Sequence, residues 1–277
     1  MTAAVSPAAM QVLTALLEAR TGQQLSAYRS WRLDVALKPL LKDRHLPTLD
    51  ALVEALMQCA DPALDEQIVD ALVNSETSFF RDAPVFDLVA EVAARAEAEG
   101  RRPRVWSAAC STGQEPLSLA MLFAERAGQG GPPIPDIVAT DVADGALARA
   151  RAGRYTQFEV QRGLPIRRLM QWFDQRGDDW FASPELVRAI QYRRLNLVAD
   201  PSPPGRFDVV MCRNVLLYLA PAMKAQVFAT LAAALRPGGL LVLGAGETVI
   251  GQTRLFEPSR RVRGLYEKVG EARAKAA

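Results

Sequence analysis

The chain has 277 residues, of which 49% are hydrophobic and 23% are charged, with a formal net charge of +2. This composition is typical of a soluble globular protein with one large domain and one small one. The small net charge disfavours a general nucleic-acid-binding protein, which carries a strong basic excess. No apolar run is long enough to span a bilayer, so we expect no direct membrane insertion.

Three cysteines and a single histidine limit the possible chemistry. Cys59, Cys110 and Cys212 have no CxxC spacing, so they indicate neither a disulfide framework nor a metal site, and they fit a reduced cytoplasm. His45 lies in a charged stretch, KDRHLP, where we expect a surface loop. The sequence therefore disfavours metal chemistry and hydrolysis by a Ser-His or Cys-His pair.

The first seventy or so residues predict an all-helical region. Its N-terminus lacks the basic start of a signal peptide. Apolar residues recur with helical spacing from Met10 to Leu17, and Gly22 predicts the end of that helix. Asp61 before Pro62 is typical of a helix cap and first turn. A connecting stretch, NSETSFFR, follows, and then a helix that we expect to be opened by Asp82 and to run to Gly100.

From residue 104 the chain alternates short apolar runs with helical stretches. The runs RVWSAA, DIVATD, FDVVMC and GGLLVLG have the length of buried parallel strands, which predicts a doubly wound α/β fold. Residues 156–195 interrupt this alternation with a helix and the strand-like pieces DDWFAS and AIQYRRL. We interpret them as an insertion with a small antiparallel ribbon.

The loop CSTGQEP follows the first predicted strand, where open α/β sheets bind ligands. It lacks the GxGxxG pattern of dinucleotide enzymes, and Glu115 would repel a phosphate at the helix N-terminus. A ligand with an amine suits the loop better. Asp141, at the end of the second strand, can accept hydrogen bonds from ribose hydroxyls. Singly, Glu115 can be a first-turn acid and Asp141 a helix cap; together they favour S-adenosylmethionine.

Four stretches, in this order, carry a family resemblance: SETSFFRD, WSAACSTGQEPLSLAM, VATDVADGALARARAGRY, and FDVVMCRNVLLYL with the later RPGGLLVLGAGE. The chain resembles the CheR family of chemotaxis receptor glutamate methyltransferases. The resemblance implies an N-terminal helical, receptor-docking domain over 1–73. It implies a linker and Rossmann-like methyltransferase domain over 74–277, with a β-insertion within about 156–195.

The resemblance also implies roles for individual residues. The linker motif matches at Thr77 and Arg81, but Ser75 stands where the family has asparagine, and Asn74 lies one position earlier. Tyr218 matches a tyrosine near the substrate glutamate, although an aromatic packing role is nearly as good an interpretation. The implied catalytic residues are Arg81 and Tyr218, and the implied cofactor-binding residues are Ser75, Thr77, Arg81, Gly113, Glu115, Asp141, Asn196, Leu197, Asn214 and Val215.

The implied reaction gives S-adenosylhomocysteine and needs no general base, because a glutamate carboxylate is ionised near neutral pH. The implied partner is the cytoplasmic helical region of methyl-accepting chemotaxis receptors. Arg29 and Arg32 share a helical face and are the candidates for receptor docking, whereas Lys38 and Lys42 point nearly opposite. Pro39 predicts a kink or a restart of the helix. We expect a cytoplasmic monomer.

Two alternatives remain open from the sequence. A CheR-like methyltransferase of a non-chemotactic signalling array would have the same site and a different partner. A catalytically idle module would sense S-adenosylmethionine and dock on a receptor or regulator. Ser75 in place of asparagine leaves that interpretation available, whereas five intact residues argue against it: Arg81, Glu115, Asp141, Asn214 and Tyr218. A dinucleotide oxidoreductase is disfavoured by the missing glycine fingerprint.

Overall fold

A computed structural model describes residues 5–24, 31–58, 61–262 and 264–269. Its first part is helical: α1 (Pro7–Thr21), α2 (Trp31–Asp43), α3 (Leu49–Gln58) and α4 (Pro62–Leu72). These helices share an apolar core that includes Leu13, Leu37, Leu52 and Ile68. The division into domains at residue 73 stays a prediction.

Two predicted helix boundaries are confirmed here, and a restart of the helix at Pro39 is not found. Gly22 ends α1 in the left-handed conformation, with its N–H 2.8 Å from the Glu18 carbonyl oxygen. Asp61 caps α4 by accepting a hydrogen bond from the N–H of Ala63. The helix α2 continues through Pro39, so this proline does not divide it.

The second part is a seven-stranded sheet with helices on both faces, which confirms the predicted α/β class. The strand order is β6-β2-β1-β7-β8-β10-β9; the first five strands are parallel, and β10 runs antiparallel to both of its neighbours, β8 and β9. The elements of this part are α5 (Pro84–Ala98), β1 (Arg104–Ala108), α6 (Gln114–Gly128), β2 (Asp136–Asp141), α7 (Asp144–Ala152), α10 (Pro184–Arg188), β6 (Ile190–Arg194), β7 (Phe207–Cys212), α11 (Pro221–Ala234), β8 (Leu235–Leu243), β9 (Phe256–Pro258) and β10 (Tyr266–Lys268).

The order of the strands fixes where a ligand can bind. The strand β1 pairs with β2 on one side and with β7 on the other. The chain therefore leaves β1 in one direction and later returns on its opposite side, which makes a switch point. A crevice forms there, outside the carboxyl ends of the strands.

The predicted insertion is a separate three-stranded antiparallel sheet, in the order β3-β5-β4. It consists of β3 (Arg154–Thr156), α8 (Gln157–Gln161), α9 (Ile166–Trp172), β4 (Phe173–Arg176) and β5 (Asp179–Ala182). The piece AIQYRRL does not belong to it, contrary to our expectation. It forms β6, which pairs in parallel with β2 at the edge of the main sheet.

The insertion packs tightly against the connecting stretch before α5. The Phe79 ring lies edge-on to the rings of Tyr155 and Phe173, at centroid distances of 5.0 and 5.6 Å. Gly163 has a φ of +83°, and a Cβ at this position would lie 2.1 Å from the Phe79 carbonyl oxygen. Only glycine allows the two backbones to approach this closely.

We expect Gly163→Ala to lower the free energy of unfolding by about 2 kcal/mol, because it adds a backbone clash to the cost of a left-handed alanine. Gly177→Ala is the matched control, since Gly177 has a φ of +62° and open space around its Cα. Urea unfolding of both variants measures the difference. Equal losses would mean that the Phe79 contact contributes nothing.

Candidate active site

A cavity that is partly open to solvent lies at the carboxyl ends of β1, β2 and β7. The end of α1, the connecting stretch 73–81 and the loops that follow these strands form its wall. The cavity brings together nearly all of the site residues predicted from the sequence: Ser75, Thr77, Arg81, Glu115, Asp141, Asn196, Leu197, Asn214, Val215 and Tyr218. Their roles in binding and catalysis stay predictions.

Strained backbone is concentrated around this cavity. Among the described residues, six that are not glycine have a positive φ, and five of them lie at or beside the cavity: Phe80, Asp82, Ala109, Ser111 and Asn214. Such conformations cost free energy and persist where the surroundings impose them, which is common at functional sites. Hydrogen bonds from the backbone N–H groups of three of these residues supply that restraint.

Asp141 holds the loop after β1 in place. One of its carboxylate oxygens accepts a hydrogen bond from the Ser111 N–H at 2.7 Å, and the other accepts one from the Ala143 N–H at 3.0 Å. The side chain is only 5% exposed. Burial raises the pKa of Asp141 above the usual range of an aspartate, although these two N–H groups act in the opposite direction.

The sequence suggested that Glu115 presents an isolated negative charge to the ligand. In the structure this charge is paired. The Glu115 carboxylate lies 3.2 Å from the Arg213 Nη1 and accepts a hydrogen bond from the Ser107 hydroxyl at 2.7 Å. The buried Arg213 guanidinium also contacts the Asp82 carboxylate and donates to the Arg81 carbonyl oxygen at 2.8 Å. Arg213 therefore ties the connecting stretch to the first turn of α6.

This arrangement corrects the predicted role of Asp82. The helix α5 begins at Pro84 with Ala83 before it, and Asp82 has a φ of +57°, so Asp82 does not open the helix. Its side chain faces Arg213 instead. We assigned no role to Arg213 from the sequence, because its partners are about 100 and 130 residues away in the chain.

Glu247 organises the loop that follows β7. Its carboxylate accepts hydrogen bonds from four backbone N–H groups, those of Asn214, Val215, Leu217 and Gly244, at distances of 2.7 to 3.3 Å. The loop carries three of the predicted site residues. Glu247 lies in the stretch GAGE, which contributed to the family resemblance, but no role was predicted for it.

The connecting stretch, residues 73–81, contacts both the loop after β1 and the loop after β7. The Ser111 hydroxyl donates to the Ser75 carbonyl oxygen at 2.8 Å. The Asn74 side-chain amide donates to the Tyr218 hydroxyl. Asn74, one position before the expected asparagine, therefore lies within hydrogen-bonding range of the tyrosine that the resemblance places near the substrate.

Two predicted cofactor contacts have structural partners of their own. The Asn196 side chain donates to the Arg20 carbonyl oxygen at 2.6 Å and accepts from the Val198 N–H at 3.0 Å. It still lines the cavity, next to the buried Leu197. Gly113 does not line the cavity: it precedes α6 with a φ of +93°, and a Cβ there would lie 2.7 Å from the Ala150 Cβ. This position therefore requires glycine, because a larger residue would clash with α7.

The two described cysteines are packing residues, as expected. Cys110 and Cys212 are buried, and burial raises the pKa of both thiols, reinforced by nearby carboxylates. Buried thiols with a raised pKa are poor nucleophiles. His45 is exposed in the turn after α2, which confirms the predicted surface position. Cys59 lies outside the described residues.

The structure describes little of the two arginines that we predicted to dock the receptor. Arg29 lies outside the described residues, and Arg32 belongs to α2 by its backbone alone. Across the ranges that the structure describes, no helix is long and apolar enough to cross a membrane, and no cluster of side chains is arranged to hold a metal ion.

The donor set of the cavity fits S-adenosylmethionine. A buried carboxylate at the end of β2 suits ribose hydroxyls, and the apolar Leu197 and Val215 suit an adenine face. The family model described as "CheR methyltransferase, SAM binding domain" matches residues 75–264. The chain belongs to the CheR family. It is a methyltransferase with S-adenosylmethionine as its cofactor.

Similar full-length proteins agree with this membership. Chemotaxis protein methyltransferase 1 of Vibrio cholerae serotype O1 is 36% identical over 91% of this chain and 94% of its own length. Chemotaxis protein methyltransferase 1 of Pseudomonas aeruginosa is 34% identical over 86% of this chain and 89% of its own length. The solved glycopeptide N-methyltransferase MtfA complexed with sinefungin covers 63% of this chain and 56% of its own, at 16% identity and a TM-score of 0.34, which is too distant to carry an argument.

Proposed function

We propose that this CheR-family chain transfers a methyl group from S-adenosylmethionine to glutamate side chains in the cytoplasmic helical region of methyl-accepting chemotaxis receptors. The products are glutamate methyl esters and S-adenosylhomocysteine. The observation that carries the proposal is that Arg81 and Tyr218 line the same cavity as Asp141. The names of the relatives support the receptor as substrate and favour neither alternative raised from the sequence.

The cofactor supplies an electrophilic methyl group on a sulfonium. With the cofactor bound, a glutamate oxygen would form a bond to that carbon while the carbon–sulfur bond breaks and its electron pair stays on sulfur. No proton is transferred, so no histidine or other base is needed at the cavity. The protein contributes alignment of the carboxylate and exclusion of water.

Arg81 and Tyr218 are the groups that would orient the substrate carboxylate. Arg81 can bind one carboxylate oxygen and leave the other to attack. The Tyr218 hydroxyl is held by the Asn74 amide, which fixes its direction. Because neither group changes its covalent state, their loss should slow transfer without abolishing it.

We expect Tyr218→Phe to lower kcat about tenfold while the affinity for S-adenosylhomocysteine changes less than about twofold, the size expected for losing one orienting hydrogen bond. Tyr192→Phe is the control, because the Tyr192 hydroxyl is buried without a hydrogen-bond partner among the described residues. Initial rates and calorimetry measure both quantities. Equal losses in rate and affinity would make Tyr218 a packing residue.

The direct test of the proposal is methylation of a purified receptor cytoplasmic fragment with S-adenosylmethionine carrying a labelled methyl group. We expect label that is released as methanol by mild alkali, which is characteristic of a glutamate methyl ester, and peptide mass spectrometry that places it on glutamate. Label that resists alkali, or none on any fragment, would contradict the proposed substrate.

A further inference from the structure

The helix α7 begins without a side-chain cap from its own turn. Ala143 precedes it and has no side-chain oxygen to accept from the first N–H groups of the helix. Most helices satisfy one of these groups with a Ser, Thr, Asp or Asn at this position. The start of α7 matters for the cavity, because it lies three residues after Asp141, the last residue of β2.

A side chain from the helical first part of the chain takes the place of this cap. Asp70, in the last turn of α4, accepts a hydrogen bond from the Gly145 N–H at 2.7 Å. Gly145 is the second residue of α7, so its N–H has no partner within the helix. A Cβ at Gly145 would lie 3.1 Å from the same Asp70 oxygen, so the two elements are in close contact. Asp70 therefore caps α7 from 75 residues away.

Two carboxylates consequently hold the turn between β2 and α7. Asp141 accepts from the Ala143 N–H, and Asp70 accepts from the Gly145 N–H two residues further along. The acids are close enough for their charges to interact: burial is the main cause of the raised pKa of Asp141, and the charge of Asp70 adds to it. Burial also raises the pKa of Asp70, and the Gly145 N–H acts in the opposite direction.

A second connection between α4 and α7 is weaker. Arg194 lies 3.4 Å from the Glu66 carboxylate of α4 and 3.1 Å from the Asp144 carboxylate of α7. All three side chains are about half exposed. Exposed ion pairs contribute little, because water and salt screen them. The hydrogen bond from the α7 backbone to Asp70 is therefore the main polar link between the two helices.

We infer that Asp70 is a positioning residue for cofactor binding, which holds the start of α7 so that Asp141 keeps its place at the cavity. Asp70 is not among the residues that line this cavity, so it acts through Asp141 and does not touch the ligand. The inference rests on the proposed role of Asp141 in binding the ribose, and it does not depend on which substrate is methylated. Because linkage is reciprocal, a bound cofactor should in turn strengthen the bond between α4 and α7.

The test compares three variants of the full chain by calorimetry with S-adenosylhomocysteine. Asp70→Ala should weaken binding about fivefold, the size expected for a lost helix cap. Asp70→Asn keeps an oxygen that can accept from the Gly145 N–H, so its affinity should stay within about twofold of wild type. Asp65→Ala is the matched control, because Asp65 lies on the same helix and pairs with Arg20 inside the helical part. Its affinity should equal that of wild type.

Hydrogen exchange gives a readout that a purely structural bond would not move. Gly145 is not among the cavity-lining residues, yet S-adenosylhomocysteine should slow the exchange of its amide about fivefold in wild type and less in Asp70→Ala.

The possible results separate this inference from the cofactor site itself. Asp70→Ala that binds like Asp65→Ala would overturn the inference and leave the cofactor site standing. Equal losses in Asp70→Ala and Asp70→Asn would also overturn it, because the acceptor oxygen would then not be what matters. Folded wild-type protein that binds no S-adenosylhomocysteine would overturn the proposed role of Asp141 and this inference with it.

Discussion

Asp141→Ala should weaken the binding of S-adenosylhomocysteine at least about a hundredfold, which corresponds to about 2.7 kcal/mol. Two losses add in this variant. The cavity loses the carboxylate that accepts from the ribose, and the loop after β1 loses the acceptor of the Ser111 and Ala143 N–H groups. A buried N–H group without an acceptor costs about 1 to 3 kcal/mol by itself.

A second substitution separates these losses. Asp141→Asn keeps an oxygen for one backbone N–H but removes the charge, so we expect an intermediate affinity. Asp144→Ala is the control on the same segment, because Asp144 is exposed and pairs with Arg194 at the surface. Calorimetry gives the affinities, and circular dichroism gives the folded fraction. An unchanged affinity of a folded Asp141→Ala would remove this residue from the site.

Glu247→Ala should reduce both stability and cofactor affinity. The variant leaves four backbone N–H groups of two loops without their acceptor, so we expect the free energy of unfolding to fall by about 3 kcal/mol. The positive φ of Asn214, 60°, is then no longer imposed by its neighbours. Because Asn214 and Val215 shift, the affinity for S-adenosylhomocysteine should fall at least about tenfold.

The control for this variant is Glu91→Ala, which removes an exposed glutamate from α5. Thermal and urea unfolding measure stability, and calorimetry below the unfolding transition measures affinity. If Glu247→Ala behaves like Glu91→Ala, the carboxylate does not shape the loop. If stability falls and affinity does not, the loop does not bind the cofactor.

Most of the α/β part of the fold could be predicted because short, contiguous stretches of the sequence encode its strands and helices. Short apolar runs and the helices between them define the strands, and acids at two strand ends define the chemistry of the ligand. The strand β6 shows the limit: AIQYRRL alternates like an antiparallel edge strand, and only its pairing with β2 places it in the main sheet. That pairing is not encoded in the piece itself.

The residues that hold the site together were not predictable in the same way. Arg213 and Glu247 act through partners far away in the chain, with hydrogen bonds to backbone groups whose direction depends on the final loop geometry. Gly113 was assigned to the cofactor from its motif, yet its close neighbour is Ala150. A sequence motif identifies which residues meet, but not which of them touch the ligand.

These contacts also bear on how the proposed site could align its reactants. Arg213 fixes the connecting stretch to α6, Glu247 fixes the loop after β7, and Asp141 fixes the loop after β1. Three cavity walls are therefore restrained before any ligand enters. Methyl transfer depends on alignment, which this rigidity supports.

The central claim is that the cavity at the ends of β1, β2 and β7 binds S-adenosylmethionine. Calorimetric titration of the folded full chain with S-adenosylmethionine, and separately with S-adenosylhomocysteine, tests it most directly. The account predicts one site per chain with micromolar affinity for either compound, and weaker binding by Asp141→Ala. Folded protein that binds neither compound would contradict the claim.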